Sequence, residues 1–162
     1  MSAPPSLLII WHSRTGASEQ MARAALAAAA QGSAMMAAED VTAGDMLGAA
    51  AYLFVCPENL AVMSGLMKEM FDRLYYPLLG QIEGRAYATM IAAGSDGEGA
   101  TRQIDRIAKG WRLKRVFAPM IVNFQAQDAA SILAPKLVPD HHLQQCAELG
   151  LAMAEGVKLG IY

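Results

Sequence analysis

Residues 7–22, Leu7-Leu8-Ile9-Ile10-Trp11-His12-Ser13-Arg14-Thr15-Gly16-Ala17-Ser18-Glu19-Gln20-Met21-Ala22, constrain the fold more than any other stretch. Five apolar residues, enough for a strand buried on both faces, run into hydroxyls and a glycine and then into a helix-forming segment. That order delivers a buried strand to a loop at a helix N-terminus, where unpaired N–H groups and the helix dipole favour an anion. Ser13-Arg14-Thr15-Gly16-Ala17-Ser18 offers three hydroxyls and a glycine that lets backbone approach, which suits a phosphate monoester. The same residues also suit an ordinary Ser/Thr-rich cap. The loop has neither the lysine pattern of a Walker loop nor the three spaced glycines of a dinucleotide fingerprint.

The alternation of strand and helix continues along the chain. After residues 1–6, a short lead-in containing Pro4-Pro5, the first strand spans 7–11 and a helix spans 19–30, stopped by Gln31-Gly32. Residues 34–38 read as an edge strand, 40–48 as a loop or short helical turn, and 50–56 as a third strand ended by Pro57. An amphipathic helix follows over 64–74, with Ser64 as its cap and Leu66, Met67, Met70, Phe71 and Leu74 on one side. A fourth strand is expected over 87–93, a helix over 101–111 and a fifth strand over 115–124. Residues 125–139 read as irregular, and Asp140 as the cap of a last helix reaching about Lys158. Such alternation means an α/β fold, a three-layer sandwich with a parallel sheet covered by helices on both faces and joined by right-handed crossovers. The loops after strands 1, 3 and 4 then meet at the carboxyl edge of the sheet, where open sheets of order 2-1-3-4-5 bind ligands.

At 162 residues and 54% apolar content the chain is expected to form a single domain with a substantial core. A net charge of −2, with basic residues spread thinly, provides no footprint for nucleic acid or an anionic membrane. Residues 1–11 have neither the basic start of a signal peptide nor the length of a membrane span, so a cytoplasmic protein is expected. Cys56 and Cys146 are then read as reduced, buried thiols, and the eleven methionines as an adaptable core or an interface. His141-His142 with Cys146 puts at most two ligands on one helix face, too few for zinc. Asp72-Arg73 reads as a surface ion pair, Trp11 as a core residue, and His12 as a strand-end residue open to either role.

Two further loops bear on the site. Pro57-Glu58-Asn59-Leu60-Ala61-Val62, after the third strand, is more apolar than a solvent loop. It either supports something flat and apolar or tucks Leu60, Val62 and Met63 into the core. Ala93-Gly94-Ser95-Asp96-Gly97-Glu98-Gly99 is either a plain turn or a loop whose missing bulk admits a ring edge, with Asp96 and Glu98 solvated.

Together, Ser13-x-Thr15-Gly16-x-Ser18 with Glu19-x-Met21-Ala22, residues 57–65 running into Lys68-x-x-x-Phe71-Asp72-Arg73, and Ala93-Gly94-Ser95 resemble the flavodoxin-like superfamily. Within it, the chain is similar to the short NAD(P)H-dependent FMN reductases and the quinone reductases of the tryptophan-repressor-binding-protein type, over residues 7–125. The resemblance implies a five-stranded sheet of order 2-1-3-4-5 and FMN as cofactor. It implies that Ser13, Arg14, Thr15, Gly16, Ala17 and Ser18 hold the phosphate. Pro57, Glu58, Asn59, Leu60, Ala61 and Val62 would line the ring and ribityl chain, and Ala93, Gly94, Ser95, Asp96, Gly97 and Gly99 the pyrimidine side. It also implies NAD(P)H as electron donor and a small-molecule acceptor such as a quinone or free flavin; the apolar, Met-rich stretch 66–79 and the lack of ring-covering aromatics lead to the expectation of a homodimer or homotetramer. Arg14 would be free to meet a nicotinamide cofactor's phosphate. No catalytic side chain is implied, because the cofactor carries the bond chemistry. The chain departs from the family at Glu58, where threonine is usual, at Ala61, where glycine is usual, and in lacking the paired aromatics that sandwich the ring. A flavodoxin-type electron carrier without NAD(P)H activity is the alternative; such carriers usually show a strongly acidic docking face, which −2 does not supply.

Overall fold

The structure, a computed structural model, describes residues 7–29 and 31–162. The expected lead-in over 1–6 and the helix end at Ala30 lie outside the described residues. Strand β1 (Leu7–Trp11) leads into α1 (Ala17–Ala29). Next come β2 (Ser33–Ala37), a 3-10 turn at Ala38–Asp40, and α2 (Ala43–Gly48). β3 (Ala51–Asn59) turns into the two-residue β4 (Val62–Met63), followed by α3 (Gly65–Leu78), β5 (Ala86–Ala93) and α4 (Glu98–Gly110). The chain ends with β6 (Lys114–Arg115), β7 (Met120–Asn123), α5 (Ala129–Leu133) and α6 (Asp140–Lys158). No helix among the described residues is long and apolar enough to cross a membrane.

The parallel sheet runs β2-β1-β3-β5, with β6 and β7 both pairing with β5, so the expected order 2-1-3-4-5 is observed. The fifth strand, expected to be continuous, is broken. Opposite it β5 advances three residues, from Tyr87 to Met90, while the chain advances five, from Arg115 to Met120. Two extra residues must therefore leave the ladder, and Pro119, which cannot donate to it, lies within that gap. β3 also continues through Pro57, where a stop was expected. It has already run past the end of β1, whose Trp11 pairs with Val55, so the missing N–H costs no bond to that neighbour.

Alternation along the central strands builds two cores. Leu8, Ile10, Tyr52, Phe54 and Tyr87 face α3 and α4, where Phe71 and Trp111 complete an aromatic cluster with the Phe54 and Phe71 rings 5.1 Å apart. Leu7, Ile9, Leu53, Val55 and Met90 face α1 and α6, whose contact surface is mostly small: Ala22, Ala25, Ala29 and Gly150. Met21, Met46, Met67, Met70, Met90 and Met153 are all buried, so many of the methionines serve the core. Both cysteines are buried and free, and burial pushes each thiol up to about 12. Trp11 is only half-buried. Asp72 and Arg73 do not pair with each other; they bind Lys68 and Glu69, each one helical turn away. Pro139, not Asp140, occupies the capping position of α6, and no side chain caps that end.

Candidate functional site

The loop between β1 and α1 is pinned from within and from outside. Ser13 Oγ accepts the Gly16 amide at 3.0 Å, and the Thr15 carbonyl accepts the Lys136 amide at 2.9 Å. Gly16 sits at φ 92°, a left-handed conformation that disfavours any side chain there. Among the described residues, the amides of Arg14, Thr15, Ala17 and Ser18 donate to no protein acceptor, as the open end of a helix requires. The Ser18 hydroxyl is buried without a partner. Unsatisfied amides at the N-terminus of a 13-residue helix, with its dipole behind them, fit an anion.

The loop after β3 is a tight hairpin, with Glu58 paired to Met63 and Asn59 to Val62. Leu60 and Ala61 form its tip at φ 52° and 69°, and Leu60 is 98% exposed. Leu60 and Val62 are thus exposed while Met63 is buried, so of the three residues expected to tuck into the core only Met63 does. Ser64 occupies the helix-cap position without capping; its hydroxyl is instead 2.8 Å from His12 Nδ1.

Glu58 spends both carboxylate oxygens on the next element. Oε1 accepts the Gly97 amide and Oε2 the Ala100 amide, each at 2.9 Å, so a residue of β3 caps the start of α4 beside Asp96, whose Oδ1 accepts the Glu98 amide at 3.3 Å. Met63 N adds a bond to Gln103 of the same helix. The glycines of the loop after β5 serve this packing. A Cβ on Gly94 would lie 2.7 Å from the Ala126 carbonyl, one on Gly97 2.6 Å from Ile121, and one on Gly99 against the Ala61 carbonyl. Their lack of bulk is taken up by protein neighbours, and Gly99 belongs to the first turn of α4. Glu58→Ala is expected to cost about 2 kcal/mol by stranding both amides. Urea unfolding of the variant checks this, and Glu58→Gln, which keeps one acceptor, is expected to lose less.

These loops enclose a cleft at the carboxyl edge of the sheet. Arg14, Thr15 and Ala17 line one end; Pro57, Glu58 and Asn59, with Ala93 and Gly94, line the other. Ser13, Gly16 and Ser18 stand behind the first wall. Leu60, Ala61, Val62, Ser95, Asp96, Gly97 and Gly99 do not line the cleft. The remaining wall was not anticipated from the sequence: Phe124, from the end of the expected fifth strand, and Ala126, Ile132 and Lys136, from a segment read as irregular. Phe124 was accessible to reasoning as the last residue of the fifth strand, on the same sheet edge. Ile132 and Lys136 carried no local signal, because α5 has only five residues.

His12 lies beside the cleft, half-buried, between Ser64 and the Arg14 end of the loop. Burial lowers its pKa, Glu39 works against that, and Arg14 adds to the lowering. The Ser64 hydroxyl also faces the buried Cys56 thiol. With the folded pKa below that of the unfolded chain, the His12 contribution to stability is complete above about pH 6.5 and is lost as pH falls below it. Urea midpoints are expected to drop between pH 7.5 and 5.5 in the wild type and to flatten in His12→Asn.

No protein-family model and no curated protein matches the chain. Solved structures match it in fold. A flavodoxin from the domain Archaea superposes with a TM-score of 0.75 at 19% identity, covering 94% of this chain and 98% of that one. The WrbA-like flavodoxin protein of Agrobacterium tumefaciens gives 0.73 at 13% identity, covering 94% and 97%. A flavone reductase gives 0.68 at 20% identity, covering 94% of this chain and 62% of the other. The chain has the flavodoxin-like fold.

Proposed function

We propose that this protein binds FMN in the cleft and works as an NAD(P)H-dependent oxidoreductase, passing electrons to a quinone, a flavin or another small acceptor. The observation that carries the reading is the set of unpartnered donors at the start of α1, the Arg14, Thr15, Ala17 and Ser18 amides with the buried Ser18 hydroxyl. They suit a terminal phosphate held by neutral donors and a helix dipole. FMN, when bound, supplies the electron-transfer chemistry. The chain's own residues orient it: Thr15 and Ala17 at the phosphate end, Pro57 and Asn59 along the middle, and Phe124 as an apolar wall. Arg14 is exposed at the mouth, placed to attract the phosphate of a nicotinamide donor. Glu58, already bonded to two amides, keeps a negative charge at the end of the cleft away from Arg14, which disfavours a ligand anionic at both ends.

The names of structural neighbours support both a reductase and a carrier. The near-neutral charge favours the reductase, while the exposed Leu60 at the cleft rim favours docking of a protein partner and hence a carrier. One cytoplasmic domain assembled as a homodimer or homotetramer completes the proposal, with Leu60, Val62, Leu66 and Tyr76 as exposed apolar residues available to an interface. Titration with FMN, followed by anaerobic addition of NADH or NADPH, tests it. Saturable binding and rapid bleaching of the flavin are expected. Binding without bleaching by either nucleotide would select the carrier, and failure to saturate with FMN would sink both.

A further inference from the structure

We propose that residues 124–138 are a hinged lid over the cleft and that Gln20 is the clasp holding it shut. The nature of the ligand under the lid rests on the FMN reading; the clasp does not. The segment is fastened at two ends. At its start, the Phe124 amide donates to the Ala93 carbonyl at 2.8 Å and the Ala126 amide to the Gly94 carbonyl at 2.7 Å. Between them Gln125 is held at φ 52°, a left-handed bend in which its amide donates to Asn123 Oδ1 at 2.8 Å.

At the far end Val138 is buried in the core, and the side-chain fastening of the segment to the loop comes from Gln20. Gln20 Nε2 donates to the Gly16 carbonyl at 3.0 Å and to the Lys136 carbonyl at 2.8 Å, while its Oε1 accepts the Val138 amide at 3.0 Å. The backbone bond from Lys136 to Thr15 lies beside it. Gln20 therefore grips the phosphate-binding loop and the segment at once, so the geometry of that loop and closure of the segment are coupled through it.

What lies between the two fastenings is self-contained. Helix α5 has no buried residue. Its ends are satisfied locally, at the start by Asp128, whose carboxylate accepts the Ser131 amide at 2.8 Å. At the other end Lys136 Nζ donates to the carbonyls of Ser131, Ile132 and Ala134. A helix shaped by its own caps and not by the core can swing without unfolding, and Lys136 travels with it. Ile132, from α5, lines the cleft. Gln20 is thus a positioning residue: it touches no reacting atom and acts through loop and lid.

Hydrogen exchange on the ligand-free protein decides the clasp. In Gln20→Leu the Val138 amide, which loses its acceptor, is expected to exchange about tenfold faster or more, and the Lys136 amide, whose acceptor is the Thr15 carbonyl, to quicken with it as the segment opens, with α6 unchanged. Gln20→Glu keeps the acceptor for Val138 and loses the bonds donated to the Gly16 and Lys136 carbonyls, so Val138 is expected to stay protected while the Lys136 amide, bonded to the Thr15 carbonyl, exchanges faster only to the extent that the segment lifts from the loop. Unaltered protection at both amides in both variants overturns the clasp. With FMN, wild-type exchange is expected to slow in residues 14–18 and 128–138 together, and FMN to leave Gln20→Leu about tenfold faster. Slowing of 14–18 alone in the wild type overturns the lid. Failure of FMN to bind overturns the proposed function and leaves the clasp to the ligand-free comparison.

Discussion

Replacing Thr15 with glutamate is expected to weaken FMN binding by two to four orders of magnitude. Thr15 lines the end of the cleft where unpartnered amides gather, and its own amide is one of them. A carboxylate there would face a phosphate dianion at close range, with repulsion of about 3–6 kcal/mol at a near-surface effective dielectric. The fold is expected to survive, because the bond from Lys136 goes to the Thr15 carbonyl and not to its side chain. Flavin titrations at low and high salt check this. Thr15→Ser is expected to bind nearly as the wild type does, and the glutamate penalty to shrink as salt screens it. An unchanged dissociation constant for Thr15→Glu would place the phosphate elsewhere.

Gly150→Val is expected to be the most destabilising of the substitutions considered. A Cβ at Gly150 would lie 2.7 Å from Ala25 Cα and 2.8 Å from its carbonyl carbon, both backbone atoms of α1. No rotamer relieves such a clash; the two helices must separate, and the small-residue seam between α1 and α6 opens along its length. The expected cost is about 3 kcal/mol or more, equivalent to a melting-temperature loss of roughly 6–12 °C for a chain of this size. Gly44→Ala is the matching control: its Cβ meets only Thr42 Oγ1, at 3.6 Å, so a gain of about 0.5 kcal/mol is expected there. Thermal unfolding of both variants separates a packing effect from a general effect of losing glycine.

The layout of the sheet was legible because its signals are local and redundant. The strand at Leu7–Trp11 occurs as read, and β2 lies at the edge as its weak apolar run suggested. Where reading failed, the cause was distant in sequence. Pro57 reads as a stop unless β1 is known to have ended beside it, and the break before Met120 depends on register against β5. Glycines 94, 97 and 99 show the same limit. Absence of bulk is visible in a sequence, but whether a ligand or a neighbouring carbonyl takes the space is decided by Ala126, Ile121 and Ala61. The lid was invisible because nothing periodic marks α5. Its partners Gln20 and Thr15 lie more than a hundred residues earlier.

The two cores give the molecule a stiff side and a compliant side. Where Gly150 of α6 meets Ala25 of α1, backbone rests against backbone, leaving no side-chain torsion at that point to absorb a displacement. Behind α3 and α4 the layers are separated by Phe54, Phe71 and Trp111, whose rings meet at tilts of 48° and 40°, so that contact there is made by side chains with torsions of their own. The loop proposed to hold the phosphate is mounted on the stiff side and the Glu58 hairpin leans on the compliant one. A ligand bound as proposed would meet a fixed jaw at one end and an adjustable one at the other. Tolerance for different ring-end chemistries would then vary at the hairpin without loosening the anchor.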